Sequence, residues 1–268
     1  MKSVYLWDPD VDHGLVKAAY FDETTGWLKP NFCMVDPDGN MLWETNTLGL
    51  RGPEVEPDAP IGVVWGDSVV FSTYTRSWPE MLNDFAPSCT FLNGGVEGSS
   101  SDSIFSRAKI FNKYRRVEFN VVMPGVNIIG QNATFEQELL TALKVIPNAV
   151  LVTSPTSLNE EIVNVDLSDR FRSEGDGETF FRFLGTHAYS LPRQREFFAH
   201  VYERNSIIRE AAAATRTPLI DLFKVFDSRL QDDFRADFWD MFHLRPSRYP
   251  RIAAAVSEAL EALAVPQR

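Results

Sequence analysis

Cysteine is nearly absent: Cys33 and Cys89 are the only two, too few for a disulfide framework. Neither lies in a CxxC or a Cys/His cluster, so both read as buried thiols and no metal is expected. Basic residues are outnumbered, 26 to 37, which leaves a net charge of −11. Phosphate backbones repel such a surface and no Lys/Arg-rich run offsets it, which argues against nucleic acid as a partner. No run reaches the ~18–20 uninterrupted apolar residues of a membrane helix. The opening MKSVYLWDPDVDHG lacks an apolar core after its lysine, so no signal peptide is expected and the chain reads as cytoplasmic. Repeats are also missing, and low complexity is confined to Ala211–Ala214.

What is present is a chain of 268 residues, 44% hydrophobic, long enough to bury a substantial core. Residues 1–60 read as an amino-terminal extension, irregular and aromatic, with short strands near Val4–Trp7 and Met41–Glu44 and a turn at Gly49–Glu54. From residue 61 a rhythm begins. IGVVW (61–65), TFLN (90–93), FNVVM (119–123), AVLVT (149–153) and LIDL (219–222) are short apolar runs bounded mostly by Gly or Pro, the pattern of strands buried on both faces. Helical patterns lie between them, at about 77–86, 101–115, 134–146, 194–215 and 246–264. Phe197, Val201, Ile208 and Ala212 share one face, as do Ile252, Ala253, Val256, Leu260 and Leu263. This alternation predicts α/β architecture: a three-layer α/β/α sandwich with about five parallel strands over 61–268. The span 156–193 interrupts the rhythm as a polar insertion, with Phe180, Phe181 and Phe183 clustered.

Open parallel sheets bind ligands at the carboxyl ends of their strands, and four polar motifs fall there. Gly66-Asp67-Ser68 follows the first strand, where a serine hydroxyl stands exposed at a strand-to-helix turn beside backbone N–H groups. Alone, this serine reads as a helix cap. Asn93-Gly94-Gly95 ends the second strand, and glycine lets backbone approach a ligand closely. Gly125-Val126-Asn127 ends the third, offering a side-chain amide donor or an ordinary turn asparagine. Asp240-Met241-Phe242-His243 precedes the last helix, at a spacing that lets a carboxylate reach the imidazole Nδ1–H. Each has an ordinary structural explanation; their order and common placement do not.

In these four blocks the chain resembles the SGNH (GDSL-like) hydrolase family: GDS at 66–68, N-x-G at 93–95, G-x-N at 125–127 and D-x-x-H at 240–243. The stretch from Asn46 through Gly49-Leu50-Arg51-Gly52 is similar to the lead-in of some bacterial members. The resemblance implies a flavodoxin-like sandwich and a serine esterase acting through an acyl-enzyme. Ser68 would be the nucleophile, His243 the base and Asp240 its orienting acid. The N–H groups of Ser68 and Gly95 and the side chain of Asn127 would form the oxyanion hole. No cofactor is implied, and the substrate would be a short acyl ester, with O-acetyl on a carbohydrate or small molecule in view. The chain departs from the family at Val69, Ile128 and Arg248, none of them a proposed catalytic side chain. Acyl transfer by the same residues, or a silent binding module on this fold, are the alternatives.

Other motifs lead nowhere. Asp8–Gly14 imitates a calcium loop, but its glycine falls one position late and Ala19 replaces the bidentate glutamate. His13, His187 and His200 have no partner at ligand or triad spacing. Asp237 is a second possible orienting acid for His243, at a less natural spacing. Arg170, Arg172 and Arg182 of the insertion read as a solvated face.

Overall fold

The structure is a computed structural model that describes residues 2–6, 13–72, 76–85, 89–127, 132–158, 191–226, 237–238 and 241–264, with the side chains of 13–15 and 264 excepted. Most of the insertion, residues 159–190, lies outside the described residues. So do His187, Arg170, Arg172, Arg182 and Asp240.

The strands are β1 (Ser3–Leu6), β2 (Phe21–Asp22), β3 (Trp27–Leu28), β4 (Phe32–Val35), β5 (Met41–Glu44), β6 (Ile61–Trp65), β7 (Thr90–Asn93), β8 (Phe119–Val122), β9 (Ala149–Val152) and β10 (Leu219–Ile220). The α-helices are α1 (His13–Tyr20), α2 (Ser68–Phe71), α3 (Trp78–Met81), α4 (Ser101–Tyr114), α5 (Asn132–Leu143), α6 (Leu191–Thr215), α7 (Leu222–Val225) and α8 (Tyr249–Ala264).

The last five strands form one parallel sheet in the order β10-β9-β8-β6-β7. In chain order that is 2-1-3-4-5, the doubly wound arrangement. Side chains alternate across it with the period of two that a pleated strand imposes. Ile61, Val63 and Trp65 of β6 face a layer built by α4, α5 and α6, with Ile104, Phe135, Leu139 and Ile208. Val64 and Val121 face the other layer, with Trp78 of α3 and Ile252, Val256 and Leu260 of α8. Burying each such aliphatic chain contributes roughly 1.5–3 kcal/mol. The three-layer sandwich and its five strands are therefore as the sequence predicts.

The amino-terminal residues hold more structure than their irregular sequence implies. β1 runs parallel to β4, β4 antiparallel to β5, and β2 and β3 form a small hairpin. Tyr20, Phe32, Met34 and Trp43 pack into a third cluster that also takes in Phe71 of α2 and Val96. Among the described residues, no helix is long and apolar enough to cross a membrane.

Candidate active site

The order 2-1-3-4-5 places a topological switch point between β6 and β8, where successive crossovers leave on opposite sides of the sheet and open a crevice. Ser68 follows β6 and Asn127 follows β8, so the two flank that crevice.

Ser68 opens α2, a helix of four residues that would not persist alone. Both its ends are held from elsewhere. Asp67 caps the start, its Oδ1 accepting the Val69 N–H at 3.0 Å. Ser72 ends the turn in the left-handed region, at φ +56°. Asn93 Nδ2 donates to the carbonyls of Val70 (2.9 Å) and Phe71 (3.2 Å). Arg51 Nη1 donates to the carbonyls of Phe71 and Ser72, and the Trp78 indole N–H donates to Val69 O at 3.1 Å. The serine is therefore 8% exposed on a rigid mount.

His243 comes from 175 positions along the chain, and its Nε2 lies 2.8 Å from Ser68 Oγ. On either side of it Phe238 bridges Leu244, and Arg245 N–H donates to Asp237 O at 2.8 Å. The loop is tied to the end of β9 through the Met241 carbonyl, which accepts from Thr156 Oγ1 (2.6 Å) and Ser157 N–H (3.0 Å). The Phe242 and His243 rings lie 4.1 Å apart, centroid to centroid. Asp237, the second possible orienting acid, is buried and faces Arg248 and Arg251 instead.

Asp67 does more than cap. Its Oδ2 accepts from Val126 N–H at 3.0 Å and from Asn127 Nδ2 at 3.1 Å, so one buried carboxylate locks the β8 loop to the serine turn. Gly125 makes the approach possible: at φ +79°, any Cβ there would stand 2.9 Å from that carboxylate. Burial pushes the Asp67 carboxyl upward, against the N–H donors of Val69 and Val126 and the charges of His243 and Arg204. The other hydrogen of the Asn127 amide goes to Ser99 O at 3.0 Å. With acceptors on both sides the amide orientation is determined: flipping it would set oxygen against oxygen.

Gly95 departs from the expected arrangement. Its N–H donates to Asn93 Oδ1 at 2.8 Å rather than standing open toward Ser68. It is a glycine for packing, because a Cβ there would meet the Phe71 backbone N at 2.5 Å. Further along the loop, Gly98 takes the left-handed conformation (φ +69°) next to Ser99, beside Asn127. The N-x-G pattern carries no information on which way an N–H points, so sequence reasoning could not separate these glycines.

His200, which has no partner at triad spacing in the sequence, lies on α6 near Val126 of the loop after β8. It is 4% exposed and neither ring nitrogen is hydrogen-bonded among the described residues. Burial first, then the Arg204 charge, pushes its pKa down from 6.5 to about 4, with Glu203 and the Val126 backbone offsetting part of this. The unfolded chain thus takes up a proton that the folded chain refuses. Stability conferred by His200 should fall as pH drops from about 6.5 to about 4 and level off below. Thermal unfolding between pH 7 and 4 should show that slope reduced in His200→Gln; an unchanged slope would place the acid sensitivity elsewhere.

No protein-family model and no curated protein sequence matches the chain. Solved structures do. A lipase/acylhydrolase from Enterococcus faecalis superposes with a TM-score of 0.54 at 17% identity, over 78% of this chain and 99% of its own. A member of the lipolytic protein G-D-S-L family from Veillonella parvula gives 0.50 at 18%, over 78% and 100%. The acetyl xylan esterase AlAXEase gives 0.50 at 14%, over 76% and 100%. Likeness at such identities is likeness of fold: this chain has the α/β fold of the SGNH (GDSL-like) hydrolases.

Proposed function

We propose that the protein is a serine ester hydrolase that works through an acyl-enzyme on Ser68. The 2.8 Å contact between Ser68 Oγ and His243 Nε2 carries this reading, because a serine hydroxyl becomes a nucleophile only when a base can take its proton. As Oγ attacks the ester carbonyl carbon, Nε2 takes that proton and the carbonyl oxygen becomes an oxyanion. His243 then protonates the departing alcohol. Water, deprotonated by the same nitrogen, releases the acid and restores Ser68.

The oxyanion donors are the Ser68 N–H, the Asn127 side chain and an N–H of the loop 95–99. Asn127 turns one hydrogen from Ser99 O to the oxyanion while Asp67 retains the other. Gly95 joins them only by giving up Asn93. Asp240 is the acid that orients His243. The substrate class is a short acyl ester, in keeping with lipolytic and acetyl xylan esterase proteins of the same fold.

A fluorophosphonate probe tests the assignment directly. It should label the wild-type protein stoichiometrically on the peptide containing Ser68 and leave folded Ser68→Ala unlabelled. Equal labelling of both proteins, or none of either, would sink the reading.

A further inference from the structure

Between the amino-terminal segment and α4 lies a cavity of about 310 Å³ that the chemistry above does not use. We propose that it binds a sugar unit, the alcohol half of the ester; its part in turnover rests on the hydrolase reading, its binding does not.

The lining identifies the ligand. Thr25, Ser99, Ser100, Ser103 and Ser106 bring hydroxyls, and the Asp102 carboxylate lies among them, accepting from Ser100. Phe21 and Trp27 add aromatic surface from the hairpin side. A pyranose presents this combination in reverse, with donors and acceptors around its edge and C–H groups on its faces. An acyl chain would strand the hydroxyls and the carboxylate against hydrocarbon. An anionic group would face Glu97 and Asp102 as well as Lys17 and Arg107, so a neutral polyol fits best.

Arg107 lines the cavity at 5% exposure, and its Nη2 donates to Gly66 O at 3.2 Å. The volume lies at the small end of ligand sites, roughly 300–1,000 Å³, and suits one ring rather than a chain.

The cavity also adjoins the reacting centre. Ser99 lines it while its carbonyl accepts from Asn127, and Gly66, held by Arg107, stands two residues before Ser68. The far wall is held in place by Lys17, whose Nζ donates to Glu97 O at 2.9 Å.

Ser106 is exposed, so Ser106→Trp can fill the cavity without disturbing the core, and Asp102→Ala removes a diol acceptor from an equally exposed position. The measurement is kcat/KM on partially O-acetylated xylo- and cello-oligosaccharides divided by kcat/KM on p-nitrophenyl acetate. That ratio should fall at least tenfold in Ser106→Trp and severalfold in Asp102→Ala. If p-nitrophenyl acetate is hydrolysed through Ser68 and the ratio stays within twofold in both variants, the sugar site is wrong and the hydrolase reading survives. If no ester is hydrolysed through Ser68, the hydrolase reading fails, and calorimetric titration of Ser68→Ala with the deacetylated oligosaccharides decides the cavity. Binding weakened at least tenfold by adding Ser106→Trp upholds it; no binding, or binding that Ser106→Trp leaves alone, overturns it.

Discussion

Ser68→Ala should lower kcat on p-nitrophenyl acetate by roughly 10⁴–10⁶-fold, and His243→Ala made in the same chain should lower it hardly further. The reason is the 2.8 Å separation of Oγ and Nε2. Nucleophile and base act as one unit: without His243 the hydroxyl keeps its proton, and without Ser68 the imidazole has no nucleophile to activate. Losses from two members of one unit do not multiply. Whatever turnover survives comes from the Ser68 N–H and Asn127, which still receive an oxyanion when water attacks. Single and double variants compared under substrate saturation check this. A double variant slower than either single by a full product of the two losses would mean that the residues act separately. Wild-type turnover in Ser68→Ala would end the assignment. KM should move little, because Oγ makes its strong interaction in the transition state and not with bound ester.

That Ser68 and His243 belong together could be read from the sequence because each sits where an element ends. IGVVW stops at Gly66, FNVVM at Pro124, and the last amphipathic stripe begins just past His243. Strand ends are visible as breaks in a hydrophobic run, and a parallel sheet brings the carboxyl ends of all its strands to one edge. The burial of the IGVVW strand on both faces was equally legible, from its unbroken apolar run. In the amino-terminal segment the strands near Val4–Trp7 and Met41–Glu44 could be read, as β1 and β5, but their pairing could not, since β1 pairs with β4 across some thirty residues and β2 and β3 hold two residues each. Such pairings leave no local period. Gly95 shows a different limit: residue type tells which backbone can come close, but not where its N–H is spent. Asp240 stands on spacing alone, outside the described residues, and Arg51 gave no hint of its part because a turn sequence does not show what its side chain crosses.

Arg51→Ala should destabilise the protein by about 3–5 kcal/mol, the range for breaking a buried ion pair from one side. The side chain is completely buried. It meets Glu80 at 3.0 Å, takes up the carbonyls of Phe71 and Ser72, and lies over the rings of Trp43 and Phe71 at 5.3 and 5.0 Å. Burial pushes the guanidinium pKa down, and the Glu80 charge is the chief effect opposing it. Removing the cation therefore strands a carboxylate, leaves the last carbonyls of α2 short of a donor and opens a space beneath Trp43. Replacing both partners, Arg51→Met with Glu80→Gln, should recover part of the loss by removing the stranded charge. The α2 carbonyls would still lack Arg51, so Ser68 should stay poorly held. Urea unfolding followed by tryptophan fluorescence reads the first effect, and the rate of fluorophosphonate labelling at low urea reads the second. The double variant should regain stability without regaining the labelling rate. Recovery of both together would show that Arg51 stabilises the fold at large and has no particular hold on the nucleophile.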